Sequence, residues 1–268
     1  MQLNKTNENV RLIAAQIADV AQQLCDKGWA EATAGNISVN VTEHYTGINM
    51  DFRTYPMILL TNPLASLKGN YILITTKGSR MHMLAKDPAP CLSLVKISEN
   101  GTGYQVLFED RENPDIPSSE LPSHLAIHDL LRRTESEDKA ILHTHAHELI
   151  ALSHMKELQD QDSLNGILLR MHTETAFFLP DGIGYIPFQV PGSEKLASAS
   201  LKKLENHKVI LWEKHGCLAV GKDIQTALDR LDLIAKAASV YLLCRQSGFV
   251  PEGLTDHQIS LLLKSAGL

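Results

Sequence analysis

Between Glu8 and Lys27 the apolar residues Val10, Ile13, Ala14, Ile17, Val20, Ala21 and Leu24 recur at intervals of three and four. That rhythm puts them on one face of an amphipathic helix, which Gly28 ends. The period then changes to two: Ile37, Val39 and Val41 alternate with Ser38 and Asn40, which predicts a short strand. Residues 43–69, with Pro56, Pro63 and several turn formers, predict an irregular excursion holding one short strand near Met57 to Leu60. Tyr71 to Thr76 is a strand that stops at Lys77-Gly78, and Cys91 to Ser98, Asn100-Gly101 and Tyr104 to Phe108 form a β-hairpin pattern.

Further along, strands and helices alternate. A helix is expected over Ser123 to Arg133, a buried strand over Lys139 to His145, and another helix from Glu148 to Met155. Ser193 caps a helix running to about His207, and Lys208 to Trp212 and Cys217 to Val220 are strands on either side of a turn at His215-Gly216. Asp223 starts a long helix, and Thr255 or Asp256 starts one more. No fixed-period repeat and no linker divides the chain, so the expectation is a single α/β domain over residues 1–268 with a mixed sheet.

Composition narrows the function classes. The formal net charge is -6 with Lys and Arg interspersed among Asp and Glu, so there is no basic stripe for a nucleic-acid backbone. The most apolar late segment, Leu231 to Cys244, contains Asp232 and Lys236 and falls short of the roughly 20 apolar residues of a membrane span. The start of the chain lacks the apolar core and cleavage site of a secretory signal. Cys25, Cys91, Cys217 and Cys244 are scattered without a CxxC pair, as expected of free thiols in a reducing compartment. A cytoplasmic protein with neither nucleic acid nor membrane as partner is the expectation.

Candidate chemistry centres on Lys139-Ala-Ile-Leu-His-Thr-His145. A strand sends alternate side chains to one face, so His143 and His145 lie side by side, as two imidazole ligands of a metal would. A lone HxH is as readily explained by two rings that merely hydrogen-bond. A third ligand should come from another strand end, and His215, where a strand meets a turn beside Gly216, is the best placed; Gly216 would allow an unusual backbone angle there. His124, His128, His154, His172 and His207 lie in segments read as helix or polar loop, where packing or solvation is the default. In Pro117-Ser-Ser-Glu-Leu-Pro-Ser-His124 two prolines brace Glu120 in a stiff turn from which its carboxylate can reach a metal, yet the same run suits helix N-terminal capping. Both readings stay open on the residues alone.

Taken together, Ala34-Gly-Asn-Ile-Ser38, Ile74-Thr-Thr-Lys-Gly78, Ser118-Ser-Glu-Leu-Pro-Ser-His124, His143-Thr-His145, Leu179-Pro-Asp-Gly-Ile-Gly184, Val190-Pro-Gly192 and His215-Gly216 resemble the class II aldolase/adducin family, and most closely its rhamnulose-phosphate branch. The resemblance spans nearly the whole chain. It implies a class II aldolase-like three-layer α/β/α fold, with a mixed, mostly antiparallel central sheet flanked by helices. It implies one Zn2+ per subunit on His143, His145 and His215, with Glu120 as metal-binding carboxylate or base. Glu174 matches the family's second acid, which serves the neighbouring subunit's site, and the phosphate site maps to Asn36, Lys77, Gly78 and Ser119. Thr33 stands where asparagine is expected and Thr76-Lys77 where the turn is more glycine- and serine-like; Lys77 offers an ammonium there. The implied activity is reversible retro-aldol cleavage of a phosphorylated ketose through a metal-stabilised enediolate, in a cyclic homotetramer with sites between subunits. Fuculose- or ribulose-phosphate aldolases, epimerases and dehydratases of the same family, and a non-catalytic adducin-like interaction module, share the motifs.

Overall fold

The computed structural model describes residues 8–45, 54–107, 116–265 and 267. The chain is α/β, and its contacts divide it into two compact units: residues 1–142 with 221–225, and residues 143–220 with 226–268.

In the first unit, helix α1 (Glu8–Asp26) buries Val10, Ala14, Ile17, Val20, Ala21 and Leu24, the face that the three-and-four spacing defines, and Gly28 follows it at φ 68°. Strands β1 (Asn36–Asn40), β2 (Ile58–Leu59), β3 (Tyr71–Thr75), β4 (Leu92–Ile97) and β5 (Gly103–Leu107) line up in the order β2-β5-β4-β3-β1. All their registered pairings are antiparallel, Ser38 opposite Ile74 and Leu73 opposite Leu94 among them. The hairpin expected up to Phe108 ends among described residues at Leu107; Phe108 itself and part of the excursion, residues 46–53, lie outside them. A short helix that the sequence pattern does not announce, α2 (Met81–Lys86), packs on α1. Helix α3 (Leu121–Arg133) begins two residues before the expected Ser123, because proline is tolerated in a first turn whose N–H groups have no intrahelical partner. Its Leu121 and Leu125 join Leu64, Leu67, Ile72, Ile74, Val95 and Ile97 in one buried cluster.

The chain passes from the first unit into the second within strand β6 (Ala140–Thr144), which is buried throughout. Helix α4 (His147–Ser153) follows, then two short helices that periodicity does not reveal, α5 (Gln161–Leu168) and α6 (Thr173–Phe178), and strand β7 (Gly184–Ile186). Helix α7 (Glu194–Leu204) is capped as expected by Ser193, whose Oγ accepts from the Leu196 N–H. Strands β8 (Val209–Trp212) and β9 (Gly216–Gly221) pair antiparallel, and β7 pairs parallel with β8, so the pairing is mixed and mostly antiparallel. Helices α8 (Ile224–Gln246) and α9 (Asp256–Ser265) close the chain. Among the described residues no helix is long and apolar enough to cross a membrane. The four cysteines are free thiols.

Candidate active site

In the second unit three imidazoles converge. His143 stands on β6 and His145 directly follows its last residue, Thr144, and the β8–β9 turn brings His215 to them. Ring centroids of the three stand 5.2, 5.1 and 5.3 Å apart, and one nitrogen from each lies within 4.8 Å of the others. This is the group of three able to hold a metal ion among the described residues.

The surroundings fit a nitrogen-liganded divalent ion. The buried His143 ring donates from Nδ1 to the Cys217 carbonyl at 2.9 Å, which fixes its tautomer and leaves the Nε2 lone pair for a metal. Gly216 makes the cradle possible: a Cβ there would stand 2.6 Å from the Thr144 carbonyl oxygen, 2.9 Å from His145 Cδ2 and 3.1 Å from His143 Cε1. The expected reason for this glycine was its backbone freedom, but its φ is not positive; the left-handed residue of the turn is Lys214, at φ 58°. Space, not torsion, requires glycine at 216. The Trp212 indole stacks on His215 at 5.1 Å and tilts against His143 at 4.6 Å, while its Nε1–H is spent on Ser200 Oγ at 3.0 Å. Cys217 is close by, but burial pushes its thiol up to about 12, and the S–H points to the Thr144 carbonyl at 3.5 Å. It therefore stays a protonated core thiol. His147, just past the strand, is exposed and pairs with Glu148 at 3.4 Å.

In the first unit Glu120 stands at the N-cap position of α3 but makes no side-chain cap bond. Its carboxylate instead accepts from Asn36 Nδ2 at 2.7 Å, so the capping interpretation left open by the sequence does not describe it. Ser118 Oγ, not Glu120, accepts a nearby backbone N–H, that of residue 120, at 3.3 Å.

The phosphate-site candidates gather at one end of the first unit's strands. Asn36 begins β1, whose Ile37 N–H donates to Thr75 Oγ1 at 3.3 Å. Lys77 and Gly78 follow β3 in an exposed turn, with Gly78 at φ 77°. The 116–118 segment is tied alongside by Lys77 N–H to the Ile116 carbonyl at 2.7 Å and Ser118 N–H to the Thr75 carbonyl at 2.9 Å. Exposed Ser119 edges a mostly apolar cleft lined also by Ile58, Tyr104, Ile116 and Leu121. Asn36 is already engaged on both sides of its amide, with Glu120 and with His124.

Glu174 stands apart from the imidazole cluster. It is exposed on α6, bonded by the Thr173 hydroxyl at 2.6 Å and by His172 Nε2 at 2.9 Å. The Thr173 hydrogen bond holds its carboxyl below the usual range.

Sequence reasoning passed over Trp212, and it set His124 and His128 aside as packing or solvated. Both histidines are buried and hydrogen-bonded to Ser38. The signal available was their spacing of four, which puts both on the same helix face as buried Leu121 and Leu125.

Residues 15–242 match the family model described as Class II Aldolase and Adducin N-terminal domain. A rhamnulose-1-phosphate aldolase of Bacteroides thetaiotaomicron is 36% identical over 248 residues, 91% of this chain and 90% of the relative. One from Listeria monocytogenes is 29% identical, covering 94% of this chain and 92% of its own. Among solved structures, a sugar-phosphate aldolase from Thermotoga maritima superposes with a TM-score of 0.73 at 33% identity, over 91% of this chain and all (100%) of that one. With the model matched across most of its length and relatives above 30% identity matched nearly end to end, this chain belongs to the class II aldolase/adducin family.

Proposed function

We propose that the protein is a zinc-dependent aldolase that reversibly cleaves L-rhamnulose 1-phosphate to dihydroxyacetone phosphate and L-lactaldehyde, the whole chain acting as one class II aldolase-like domain. The observation that carries this is the convergence of His143, His145 and His215; the similarity to rhamnulose-1-phosphate aldolases supplies the substrate. Imidazole nitrogens suit zinc, and three protein ligands are the catalytic pattern, which keeps a position open for substrate oxygens. When bound, the ion supplies a Lewis acid for the negative charge that develops at the ketone oxygen.

The chain's own residues do the rest. Retro-aldol cleavage needs a base for the hydroxyl proton at the aldehyde end and an acid/base at the carbon that becomes nucleophilic. Glu120 delivers the proton to that carbon in cleavage and removes it in the reverse, condensing direction, its carboxyl oxygen accepting from the Asn36 amide. Glu174, exposed on α6, serves the aldehyde end of a neighbouring subunit's site in a cyclic homotetramer. Lys77, Gly78 and Ser119 hold the phosphate together with Asn36, which offers the second amide hydrogen that Glu120 does not take; the Lys77 ammonium and Ser119 hydroxyl are the exposed donors. The protein works in the cytoplasm.

Metal analysis of purified protein, combined with a coupled assay for dihydroxyacetone phosphate from L-rhamnulose 1-phosphate, tests the proposal. One zinc per chain with cleavage that Glu120→Gln abolishes while keeping its zinc is the expected result. Release of triose phosphate from L-fuculose 1-phosphate but not from the rhamnulose ester would overturn the substrate, and parental turnover by Glu120→Gln would remove its assigned role.

A further inference from the structure

Helix α3 carries His124 and His128 one turn apart on its buried face, each 1% exposed, and β1 presents the fully buried Ser38 between them. Ser38 Oγ lies 2.7 Å from His124 Nδ1 and 2.8 Å from His128 Nε2. On its other edge His124 bonds through Nε2 to Asn36 Oδ1, and Asn36 Nδ2 lies 2.7 Å from Glu120 Oε2. Five side chains from two elements and the turn before α3 thus form one chain that ends on the Glu120 carboxylate.

Donor and acceptor chemistry gives this chain a single direction. Asn36 faces the Glu120 carboxyl with its amide NH2, which donates there, and so turns its carbonyl to His124. The nitrogen that meets that carbonyl must carry a proton, which places the proton of His124 on Nε2. A neutral ring then has a lone pair on Nδ1, which accepts from the Ser38 hydroxyl. Ser38 has spent its one proton, so its oxygen accepts from His128, whose proton is likewise on Nε2. Burial, with His124 beside it, drives the His128 pKa down to about 3, so that ring is neutral at working pH.

We propose that His124, with its ring fixed by Ser38 and His128, is a positioning residue: it locks the Asn36 amide, which in turn holds the Glu120 carboxylate in its working orientation. The proposal rests on the acid/base role assigned to Glu120 above. Asn36 alone has free rotation of its amide, and a swivelled amide would present an oxygen to the carboxylate. The buried His124 N–H removes that alternative, because its proton can face only the amide oxygen. The imidazole triad belongs to other elements, so disturbing His124 should leave metal content intact.

Two kinetic comparisons, with a fallback variant, and one spectroscopic measurement on the zinc-loaded protein test this. In the first, His124→Phe, which removes the donor, should lower kcat roughly 10- to 100-fold with KM and zinc content nearly unchanged. His124→Gln, whose amide N–H restores a donor toward Asn36, should recover most of the loss, a rescue that a merely space-filling histidine would not give. Where His124→Phe fails to fold, Ser38→Ala, which deletes one oxygen from the chain, carries the same expectation of reduced kcat at constant KM. In the third, nitrogen NMR of histidine-labelled parent protein at neutral pH should find both buried rings neutral with the proton on Nε2. A proton on Nδ1 of either ring overturns the proposal whatever the activities. If Glu120→Gln abolishes turnover while His124→Phe and Ser38→Ala keep the parental kcat, the positioning role is wrong and the aldolase reading stands. If the parent protein cleaves no ketose phosphate, the aldolase reading fails and takes this role with it.

Discussion

Replacing Gly216 with alanine puts one methyl group into the tightest point of the histidine cluster. The added Cβ would stand 2.6 Å from the Thr144 carbonyl oxygen, roughly 0.7 Å short of the ~3.3 Å at which carbon and carbonyl oxygen ordinarily meet. That oxygen belongs to the backbone of a buried strand and cannot swing away as a side-chain end would. The same methyl meets His145 Cδ2 at 2.9 Å and His143 Cε1 at 3.1 Å, so whichever way the strand yields, two of the three imidazoles are pushed. Overpacking of this kind costs about 1–3 kcal/mol, which for a chain of this size lowers the melting temperature by roughly 4–8 °C at the middle of that range. Displacing two rings of a three-imidazole set by a few tenths of an ångström should weaken metal affinity further, roughly 10- to 100-fold, as loss of a ligand's support does. The assay is competition for zinc against a chromophoric chelator, with thermal melts of metal-free and metal-loaded protein. Gly216→Ala should melt lower in both forms and gain less from added zinc than the parent does. If it binds zinc with parental affinity, the close approach of β6 and the β8–β9 turn does not set the metal geometry, and the reasoning fails.

Three further outcomes follow from the same structure. His128, neutral and buried with a pKa near about 3 against about 6.5 in the unfolded chain, takes up its proton first in the unfolded state. Its contribution to stability is therefore whole above about pH 6.5 and is lost as the pH falls toward about 3, at up to ~1.4 kcal/mol per pH unit. Urea midpoints of the parent should drop more steeply than those of His128→Phe between pH 6.5 and pH 4.5, and parallel slopes would show that the ring is not held neutral. Trp212→Leu removes the indole stacked on His215 and tilted against His143 and the N–H that Ser200 Oγ accepts, while Ser200 keeps its own bond to the Leu196 carbonyl; zinc affinity should fall roughly tenfold with about 2–4 kcal/mol of stability, and unchanged chelator competition would refute the packing role. Arg170 donates to the Leu254 carbonyl at 2.6 Å and pairs with exposed Asp256, so Arg170→Ala should cost about 1 kcal/mol, mostly through the carbonyl bond. Backbone hydrogen exchange over Asp256–Ser265 should speed roughly 5-fold while that of β8 stays put, and equal exchange in both proteins would count against this latch.

Long elements with a full apolar period were legible in the sequence, and short ones were not. Helix α1 repeats its apolar face over five turns and α8 is longer still, whereas α2 and α6 have six residues each, too few for three-and-four spacing to be told from chance. Strand β7 is three residues long and fully buried, and Gly184 within it lacks the branched side chain that marks strands. There the fold, not local preference, decides: a Cβ on Gly184 would meet Lys203 at 2.8 Å, so close packing of α7 fixes that residue. The sequence pattern puts the start of α3 at Ser123 because Pro122 reads as a brace of the turn, though proline is equally at home in a helix's first turn.

At the site, what the sequence could reveal depended on whether the decisive geometry was local. The His143 and His145 pair follows from the pleat of one strand, and His215 from a turn between two more. The Glu120 environment does not follow from anything local, since its partner Asn36 lies 84 positions away. Yet β1 did carry a clue. Its alternation of Ile37 and Val39 with Asn36, Ser38 and Asn40 fits a strand with one wet face, but every residue of β1 is buried. A buried polar face survives only if each group finds a partner, and each does: Asn36 bonds Glu120 and His124, Ser38 bonds both α3 histidines, and Asn40 bonds Asn70 at 2.9 Å and Thr42 at 2.6 Å. Keeping three amide and hydroxyl groups inside, rather than three more aliphatics, gives up hydrophobic stabilisation and demands matched partners, which α3 and the residue before it supply to Asn36 and Ser38. For Asn36 and Ser38 that cost fits the role proposed for Glu120, a carboxylate that must be held at one angle.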